Sequence, residues 1–136
     1  MAIDYEQISV LVIDDELFAR QIVRNLLSQI GIRRVHEAVD GRAGLLELLR
    51  VKPTIVLCDI NMRPIDGRQF LKTVRETTVA NVCTTPVIFL TANALTDTVQ
   101  FAKDYNANGY LVKPVSLSIP KQRIDSVLSP TDLLSW

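Results

Sequence analysis

The chain has 136 residues, which is enough for one domain with a buried core and too few for two ordinary domains. Lysine plus arginine and aspartate plus glutamate both number 15, so the net charge gives no reason to expect attraction to nucleic acid or to an anionic membrane. No stretch approaches the roughly 20 apolar residues of a membrane span, and the N-terminus lacks the features of a secretory signal.

Short runs rich in β-branched residues predict the strands of an α/β domain. These runs are Ile8–Ile13, Arg34–Ala38, Thr54–Cys58, Pro86–Leu90 and Gly109–Val112. Several of them are apolar without alternation, which is typical of strands that are buried on both faces.

Longer segments with helical spacing separate the strands. In the first, an apolar stripe at four-residue spacing contains Phe18, Ile22, Leu26 and Ile30 and is broadened by Ala19, Val23 and Leu27. The second helix is Ala43–Leu49, the third carries Phe70, Leu71 and Val74, the fourth carries Leu95, Val99 and Ala102, and the fifth carries Leu117, Ile124, Val127 and Leu128. Alternating strands and helices imply right-handed crossovers and a parallel sheet with helices on both faces.

Local signals support these boundaries. Gly31 is expected to end the first helix in the left-handed conformation. Pro53 stops the second helix, and Asp66 with Gln69 predicts a capping box that opens the third. The domain is expected to span residues 8–128, with an N-terminal extension at 1–7 and a C-terminal tail at 129–136.

The carboxyl ends of the predicted strands carry the chemically distinctive residues, and ligands of open α/β sheets bind beyond those ends. Asp14 and Asp15 follow the first strand, and Asp59 follows the third. Thr91 follows the fourth strand and Lys113 follows the fifth. The sequence therefore predicts that three carboxylates, a hydroxyl and an ammonium meet at one rim of the sheet.

Carboxylates that meet in this way need a cation, or one of them must stay protonated, because two unit charges about 4 Å apart repel by roughly 4 kcal/mol at an effective dielectric of about 20. An all-oxygen cluster suits Mg²⁺, which usually shares its shell with phosphate. Together with Lys113 and Thr91, the cluster contains the groups needed to hold a phosphoryl group in transfer. Asp59 stands alone at a central strand end and is the candidate nucleophile, whereas Asp14 and Asp15 are better placed as paired metal holders.

The sequence resembles the receiver domains of two-component response regulators, of the chemotaxis type, over about residues 8–128. The matching segments are VLVIDDE at 10–16, VLCDINM at 56–62, PIDG at 64–67, FLTA at 89–92 and YLVKP at 110–114. The resemblance implies a flavodoxin-like (βα)5 three-layer sandwich whose parallel five-stranded sheet has the order 2-1-3-4-5.

The resemblance also implies a role for each residue around the metal. Asp59 corresponds to the phosphorylated aspartate and Asp15 to a direct Mg²⁺ ligand. Asp14 corresponds to the partner of Asp15, which often acts through water, and Asn61 to the position whose backbone carbonyl completes the metal shell. Asn61 and Asn93 occupy positions that tune the rate of dephosphorylation in receivers.

Further roles follow for the switch. Thr91 corresponds to the hydroxyl that moves toward the phosphoryl group, and Ala92 beside it belongs to the phosphoryl-binding set. Lys113 corresponds to the lysine that pairs with the phosphoryl group, and Pro114 to a cis-proline. Tyr110 corresponds to the switch aromatic that turns inward on activation.

One position departs from the pattern D-x-x-M-P-x-x-D-G that is common in receivers. Arg63 occupies the usual proline position and Pro64 follows it. The loop after Asp59 is therefore expected to differ in its contacts with a partner kinase, while the metal site is not affected.

Taken singly, these residues also have ordinary structural explanations. Asp14 and Asp15 are also suited to the N-terminus of the first helix, and Thr91 to that of the fourth. Lys113 is compatible with a solvated charge and Tyr110 with a half-buried strand aromatic. The functional interpretation depends on the complete set at the strand ends.

The favoured function is a phosphorylation-controlled binding module that accepts a phosphoryl group from a histidine kinase or phosphotransfer protein. It would catalyse only its own phosphorylation and slow hydrolysis, and would signal to a downstream protein through the face made by helix four, strand five and helix five, as a monomer or a phosphorylation-induced dimer. Its two cysteines, Cys58 and Cys83, do not make a disulfide framework, which favours the cytoplasm.

Three alternatives stay open. A phosphatase with an aspartyl-phosphate intermediate would place a second Asp where this chain has Asn61. A flavin-binding protein would have a first loop rich in Ser, Thr and Gly instead of Asp14-Asp15-Glu16. The chain is also compatible with a receiver cut from a longer protein.

Overall fold

The computed structural model describes residues 3–91, 100, 103–113 and 118–128. The strands are β1 Ser9–Ile13, β2 Arg34–Ala38, β3 Ile55–Asp59, β4 Val87–Thr91 and β5 Gly109–Val112. The helices are α1 Leu17–Ile30, α2 Gly41–Val51, α3 Gly67–Glu76 and α4 Ser118–Leu128, and a short 3₁₀ helix, Tyr5–Gln7, precedes β1. Helix α4 is the fifth helix of the sequence prediction, and the fourth, with Leu95, Val99 and Ala102, lies outside the described residues. None of the described helices combines the length and apolar character needed to cross a membrane.

The strands form one parallel sheet of order β2-β1-β3-β4-β5, which confirms the predicted α/β fold and strand order. Strands β3 and β4 are buried along their whole length, as their continuous apolar runs predicted. Both extend one residue further than predicted, so Asp59 and Thr91 are the last residues of their strands. The reason is that the backbone ladder continues through the bond from the Ile60 N–H to the Leu90 carbonyl.

The core has two layers, one on each face of the sheet, because successive strand residues point to opposite faces. Leu11 and Ile13 pack on one face with Phe70 of α3 and with α2. Val10 and Val12 pack on the other face with α1 and α4. The fold is therefore the predicted three-layer sandwich.

Helix α1 buries one side of the predicted apolar stripe, the side that contains Val23 and Leu27, and exposes the start of the row from Phe18. Val23 and Leu27 are buried, whereas Phe18 is 71% exposed and Ile22 is 38% exposed. A row of residues four apart advances about 400° per step and so drifts about 40° around the helix each time. The row therefore turns from the solvent side at Phe18 and Ile22 toward the core at Leu26 and Ile30, which are partly buried.

The predicted caps at the end of the first helix and at the start of the third are confirmed. Gly31 follows α1 with a φ of 112°, in the left-handed region that a side chain disfavours. Asp66 and Gln69 form the capping box at the start of α3. The predicted range of the second helix was too short, because the Asp40 side chain accepts a hydrogen bond from the Ala43 N–H and starts α2 at Gly41.

Residues 3–7 contact the domain through the side chain of Tyr5. Its hydroxyl donates a hydrogen bond of 2.5 Å to the Asp125 carboxylate of α4, and Lys121 lies 5.6 Å from the centre of its ring. Ile3 and Tyr5 also pack against the core layer beneath α1 and α4. The N-terminal extension is thus held against the last helix.

The start of α3 lies very close to the end of β3, and Gly67 makes this approach possible. A Cβ atom at position 67 would lie 2.4 Å from the Asp59 carbonyl oxygen and 2.9 Å from the Ile60 Cα. The Gly67 N–H donates to the Ile60 carbonyl at 2.8 Å. This glycine therefore fixes the backbone directly behind the Asp59 side chain.

Replacing Gly67 with alanine is expected to lower the free energy of unfolding by about 2 kcal/mol, since overpacking of a close contact typically costs about 1 to 3 kcal/mol. Urea unfolding measures the change. Arg68→Ala, at the next position of the same helix, is the matched control and is expected to stay within about 0.5 kcal/mol of wild type. Equal stability of Gly67→Ala and wild type would contradict the close contact.

Candidate functional site

An acidic cluster lies at the carboxyl edge of the sheet, where the sequence placed it. Asp14, Asp15 and Asp59 each offer a carboxylate oxygen, and these oxygens lie within 4.8 Å of one another. Asp14 is fully buried and Asp59 is 7% exposed, whereas Asp15 is exposed. The pairing of Ile13 with Cys58 brings these residues together, because Asp14 and Asp59 directly follow that pair.

The Lys113 ammonium lies within the same cluster. Its Nζ is 2.9 Å from Asp14 Oδ2 and 3.4 Å from Asp59 Oδ1. The Lys113 N–H donates to the Thr91 carbonyl at 2.7 Å, which continues the pairing of β4 with β5. The predicted gathering of three carboxylates and one ammonium is therefore present, with Lys113 closer to Asp14 than to Asp59.

Burial and charge set the protonation equilibria of the cluster. Burial raises the pKa of Asp59, and the neighbouring charge of Asp14 raises it further against the opposing effects of Lys113 and of the Ile60 N–H. Burial alone would lower the pKa of Lys113, but its hydrogen bond to Asp14 and the charges of Asp59 and Asp14 outweigh burial and raise it. Lys113 is therefore held as a cation, and ionisation of Asp59 is made costly.

The remaining predicted residues are distributed around the cluster. Thr91 is buried at the end of β4, and Tyr110 of β5 is half-buried and packs against the core. Ala92, Asn93 and Pro114 lie outside the described residues.

A cleft of about 350 Å³ opens beside the cluster and is lined by Asp15, Asn61, Met62, Arg63 and Asp66. Asn61 and Arg63 are exposed, and the Arg63–Pro64 peptide bond is cis. Arg63, which replaces the usual proline, thus adds a positive side chain to the wall of the opening next to the carboxylates.

The donor set fits Mg²⁺. The three clustered side chains all offer carboxylate oxygen, the donor that hard divalent cations prefer. Cys58 is next to Asp59 in the chain, but it is fully buried, and burial raises the pKa of its thiol well above the usual value. Cys58 packs in the core layer on the same face of the sheet as Leu11 and Ile13.

The sequence profile described as "Response regulator receiver domain" matches residues 10–125. The chain belongs to this family. This receiver is 34% identical over 122 residues to the probable chemotaxis protein CheY of Rhizobium etli, a match that covers 90% of this chain and 93% of the relative. It is 32% identical over 126 residues to the chemotaxis protein CheY-3 of Vibrio cholerae, covering 93% and 95%.

Solved structures give the same result. The chemotaxis protein CheY4 of Vibrio cholerae has a TM-score of 0.81 to this receiver at 30% identity, covering 89% of this chain and 98% of that chain. A putative response regulator from Chloroflexus aurantiacus has a TM-score of 0.81 at 25% identity, covering 88% and 96%.

The receiver is accordingly a phosphoacceptor module of two-component signal transduction, as the sequence predicted. Members of this family act with histidine kinases and downstream targets. The family match favours this function over the phosphatase and the flavin-binding protein that the sequence left open.

Two contacts near the site were not revealed by the sequence pattern. Arg20 of α1 donates to the backbone carbonyl of Asp14 at 2.7 Å. Glu16 caps α1 without a side-chain bond of its own, and its N–H donates to Asp14 Oδ1 at 3.0 Å. Both contacts involve the backbone, so neither produces a recognisable pairing of residue types.

In metal-free buffer at neutral pH, Asp59→Asn is expected to raise the unfolding temperature by about 4 °C, or about 1 kcal/mol. The pKa of Asp59 is raised in the folded state, so the native protein binds this proton more tightly than the unfolded chain does. The stability of wild type relative to the variant should therefore fall as the pH rises from the unfolded-chain value of about 3.9 through the raised pKa, and should be level above it.

Thermal melts of both proteins from acidic to neutral pH test this expectation. Glu76→Gln, which removes an exposed carboxylate at the end of α3 and outside the acidic cluster, is the control for the loss of a carboxylate. A variant that is less stable than wild type at neutral pH would show that Asp59 is stabilised as an anion.

Proposed function

We propose that Asp59 accepts the phosphoryl group, from a phosphohistidine of a histidine kinase or phosphotransfer protein. The observation that carries this assignment is the position of Asp59 at the end of a central strand, partly accessible and 3.4 Å from Lys113. Asp14 is fully buried with both carboxylate oxygens already bonded, and Asp15 is exposed. Asp59 combines access with an adjacent positive charge, as a nucleophile toward a phosphate needs.

The site would hold Mg²⁺ through Asp15 and Asp59, with the Asn61 backbone carbonyl completing the shell and Asp14 acting as the partner of Asp15. Mg²⁺, when bound, supplies positive charge that offsets the carboxylates and the incoming phosphate. The oxygen-only donor set supports this choice of metal.

In the transfer step, an Asp59 carboxylate oxygen forms a bond to phosphorus while the bond between phosphorus and the imidazole nitrogen breaks. The electron pair of that bond stays on the imidazole. Lys113 and Thr91, with the backbone at Ala92, would bind the oxygens of the transferred group. The positive Lys113 is held within reach of Asp59, so it is placed where negative charge arrives.

The phosphorylated receiver would return slowly to its resting state by hydrolysis of the aspartyl phosphate. Water attacks phosphorus, the bond from phosphorus to the Asp59 oxygen breaks, and inorganic phosphate leaves. Asn61 and Asn93 are proposed to tune this rate, and the exposure of Asn61 on the wall of the cleft supports its part in controlling the approach of water.

The output would be a change in binding to a downstream protein. The new phosphoryl charge would compete with Asp14 for the Lys113 ammonium. Thr91 would then move toward the phosphoryl group and Tyr110 would turn inward, as the two switch residues. Pro114 would be the cis-proline after Lys113. The Tyr110 ring lies 6.0 Å from the Arg123 guanidinium of α4, which supports communication between β5 and the last helix. The proposed docking face is made by β5, by α4 and by the fourth helix of the sequence prediction. That fourth helix lies outside the described residues, and α4 is the fifth helix of the prediction.

The relatives are named as chemotaxis proteins, which supports a protein target in a chemotaxis-type pathway. The two cysteines are free thiols, which supports action in the reducing cytoplasm. The receiver is proposed to act as a monomer or as a phosphorylation-induced dimer.

A small-molecule phosphodonor with Mg²⁺ is expected to add one phosphate to the wild-type protein, and Asp59→Asn is expected to lose this labelling because the nucleophile is gone. Mass spectrometry with peptide mapping measures it. Asp66→Asn, which changes another carboxylate beside the same cleft, is the control and should be labelled like wild type. Equal labelling of the Asp59 variant would refute the site.

Lys113→Ala is expected to permit some phosphorylation of Asp59 but to abolish the accompanying change of shape, since a ligand shifts a two-state equilibrium only through differential contacts. Hydrogen exchange of the phosphorylated and unphosphorylated variant measures this. Lys121→Ala, which removes an exposed lysine of α4, is the control. A full exchange response in Lys113→Ala would exclude Lys113 as the link.

A further inference from the structure

Arg20 reaches from α1 to the backbone of the acidic cluster. Its Nη1 donates to the Asp14 carbonyl oxygen at 2.7 Å, and its Nε donates to Glu37 Oε1 at 2.9 Å. The side chain is only 11% exposed. A planar guanidinium can make both bonds at once because its donors are fixed in a rigid fork.

This position is unfavourable for an arginine on helical grounds alone. Arg20 lies near the N-terminus of α1, where the helix dipole favours negative charge, and the first turn contains no acidic residue. Glu37 on β2 supplies the missing negative charge. The location of Arg20 therefore follows from its contacts with Glu37 and Asp14 and not from helix preference.

The bond at the Asp14 carbonyl bears on the direction of the Asp15 side chain. That carbonyl belongs to the peptide plane that joins Asp14 to Asp15, and the plane is rigid. The Asp14 N–H is already fixed by the Ala38 carbonyl at 3.1 Å, and its side chain is fixed by Glu16 and Lys113. The Arg20 bond fixes the remaining plane, and with it the direction in which the exposed Asp15 side chain leaves the backbone.

Arg24 provides an internal comparison. It lies one turn further along α1 and binds the other oxygen of the same carboxylate, Glu37 Oε2, at 2.8 Å. Its bond is to Glu37, whereas Arg20 bonds both Glu37 and Asp14. The two arginines share a helix, a charge and an acidic partner, and they differ in exposure, 11% for Arg20 against 47% for Arg24, and in the contact with the metal-site backbone.

We propose that Arg20 is a positioning residue that orients Asp15, beside the already fixed Asp14, for a divalent cation. The inference rests on the proposed Mg²⁺ site and names the residue that holds it in shape. The two effects of Arg20 on Mg²⁺ affinity are opposite. Its bond to the Asp14 carbonyl would raise the affinity by orienting the ligands, whereas its positive charge would lower the affinity by repelling the cation. If Arg20 acts by position, its loss weakens Mg²⁺ binding, and if it acts by charge alone, its loss strengthens binding.

Isothermal titration calorimetry of the full chain with MgCl₂ separates these effects. Arg20→Gln removes the charge, and Arg20→Lys keeps the charge but has no planar fork to bond Asp14 and Glu37 together. Both variants are expected to bind Mg²⁺ about 10-fold more weakly than wild type, the lower end of the usual loss when an outer partner of a metal ligand is removed. Arg24→Gln is the matched control and is expected to keep the wild-type affinity.

A second readout reports on the Asp14–Asp15 peptide plane without metal. The Asp15 amide N–H belongs to this plane, so its ¹H–¹⁵N resonance is expected to shift in both Arg20 variants and to stay in place in Arg24→Gln. If Arg20→Gln does not fold, as judged by circular dichroism, Glu37→Gln takes its place, because it loosens the Arg20 fork, and it should weaken Mg²⁺ binding by a smaller factor.

Unchanged or tighter Mg²⁺ binding in the Arg20 variants would overturn the proposal, as would an equal loss in Arg24→Gln. Weaker binding in both Arg20 variants with a normal Arg24 variant supports it. If wild type itself binds no Mg²⁺, the proposed function fails and the inference fails with it, and this outcome is distinguishable because it appears before any substitution is made.

Discussion

The main physical constraint on this site is the repulsion between the carboxylates that meet at the carboxyl edge of the sheet. Asp14, Asp15 and Asp59 lie together, and the Lys113 ammonium contacts Asp14 and Asp59, so the carboxylates outnumber the ammonium within the cluster. Each pair of unit charges about 4 Å apart costs roughly 4 kcal/mol at an effective dielectric of about 20. The raised pKa of Asp59 is one expression of this cost. A divalent cation matches the deficit in charge, and a transferred phosphoryl group acts on the same balance.

The fold maintains this unfavourable arrangement because the rest of the domain holds it rigidly. Both faces of the sheet are covered by core layers, and β3 and β4 are buried along their whole length. Gly67 brings the start of α3 against the backbone of Asp59, and the bond from Lys113 to Thr91 ties the end of β5 to that of β4. With the backbone fixed on each side, the cluster would relieve its repulsion by binding a cation or a proton and not by moving apart.

Most of the fold and the cluster could be predicted because their determinants are local and periodic. Buried parallel strands need continuous apolar runs, and carboxyl ends meet at one edge, so Asp14, Asp59 and Lys113 could be grouped from sequence order alone. The buried face of α1 was harder to predict, because Phe18 and Val23 are both apolar and only the packing decides which of them is covered.

Contacts to backbone atoms could not be predicted, since any residue type offers the same carbonyl. Arg20 on the Asp14 carbonyl is one example, and Arg75 is another. The Arg75 guanidinium donates to the carbonyls of Cys83, Thr85 and Asn106, which ties the end of α3 to the segments before β4 and β5. A sequence pattern can reveal a contact between a basic and an acidic side chain, because the two residue types are complementary. The bonds of Arg20 and Arg75 to carbonyl oxygens lack this signal.

The most direct test is a ¹³C carboxyl NMR titration of Asp59, with and without saturating Mg²⁺. The crowding of carboxylates predicts an Asp59 pKa above the usual value of about 3.9 in metal-free buffer and a clear fall when Mg²⁺ is added. A pKa at or below the usual value that Mg²⁺ does not change would contradict the account, because it would mean that Asp59 is neither crowded by negative charge nor part of a cation site.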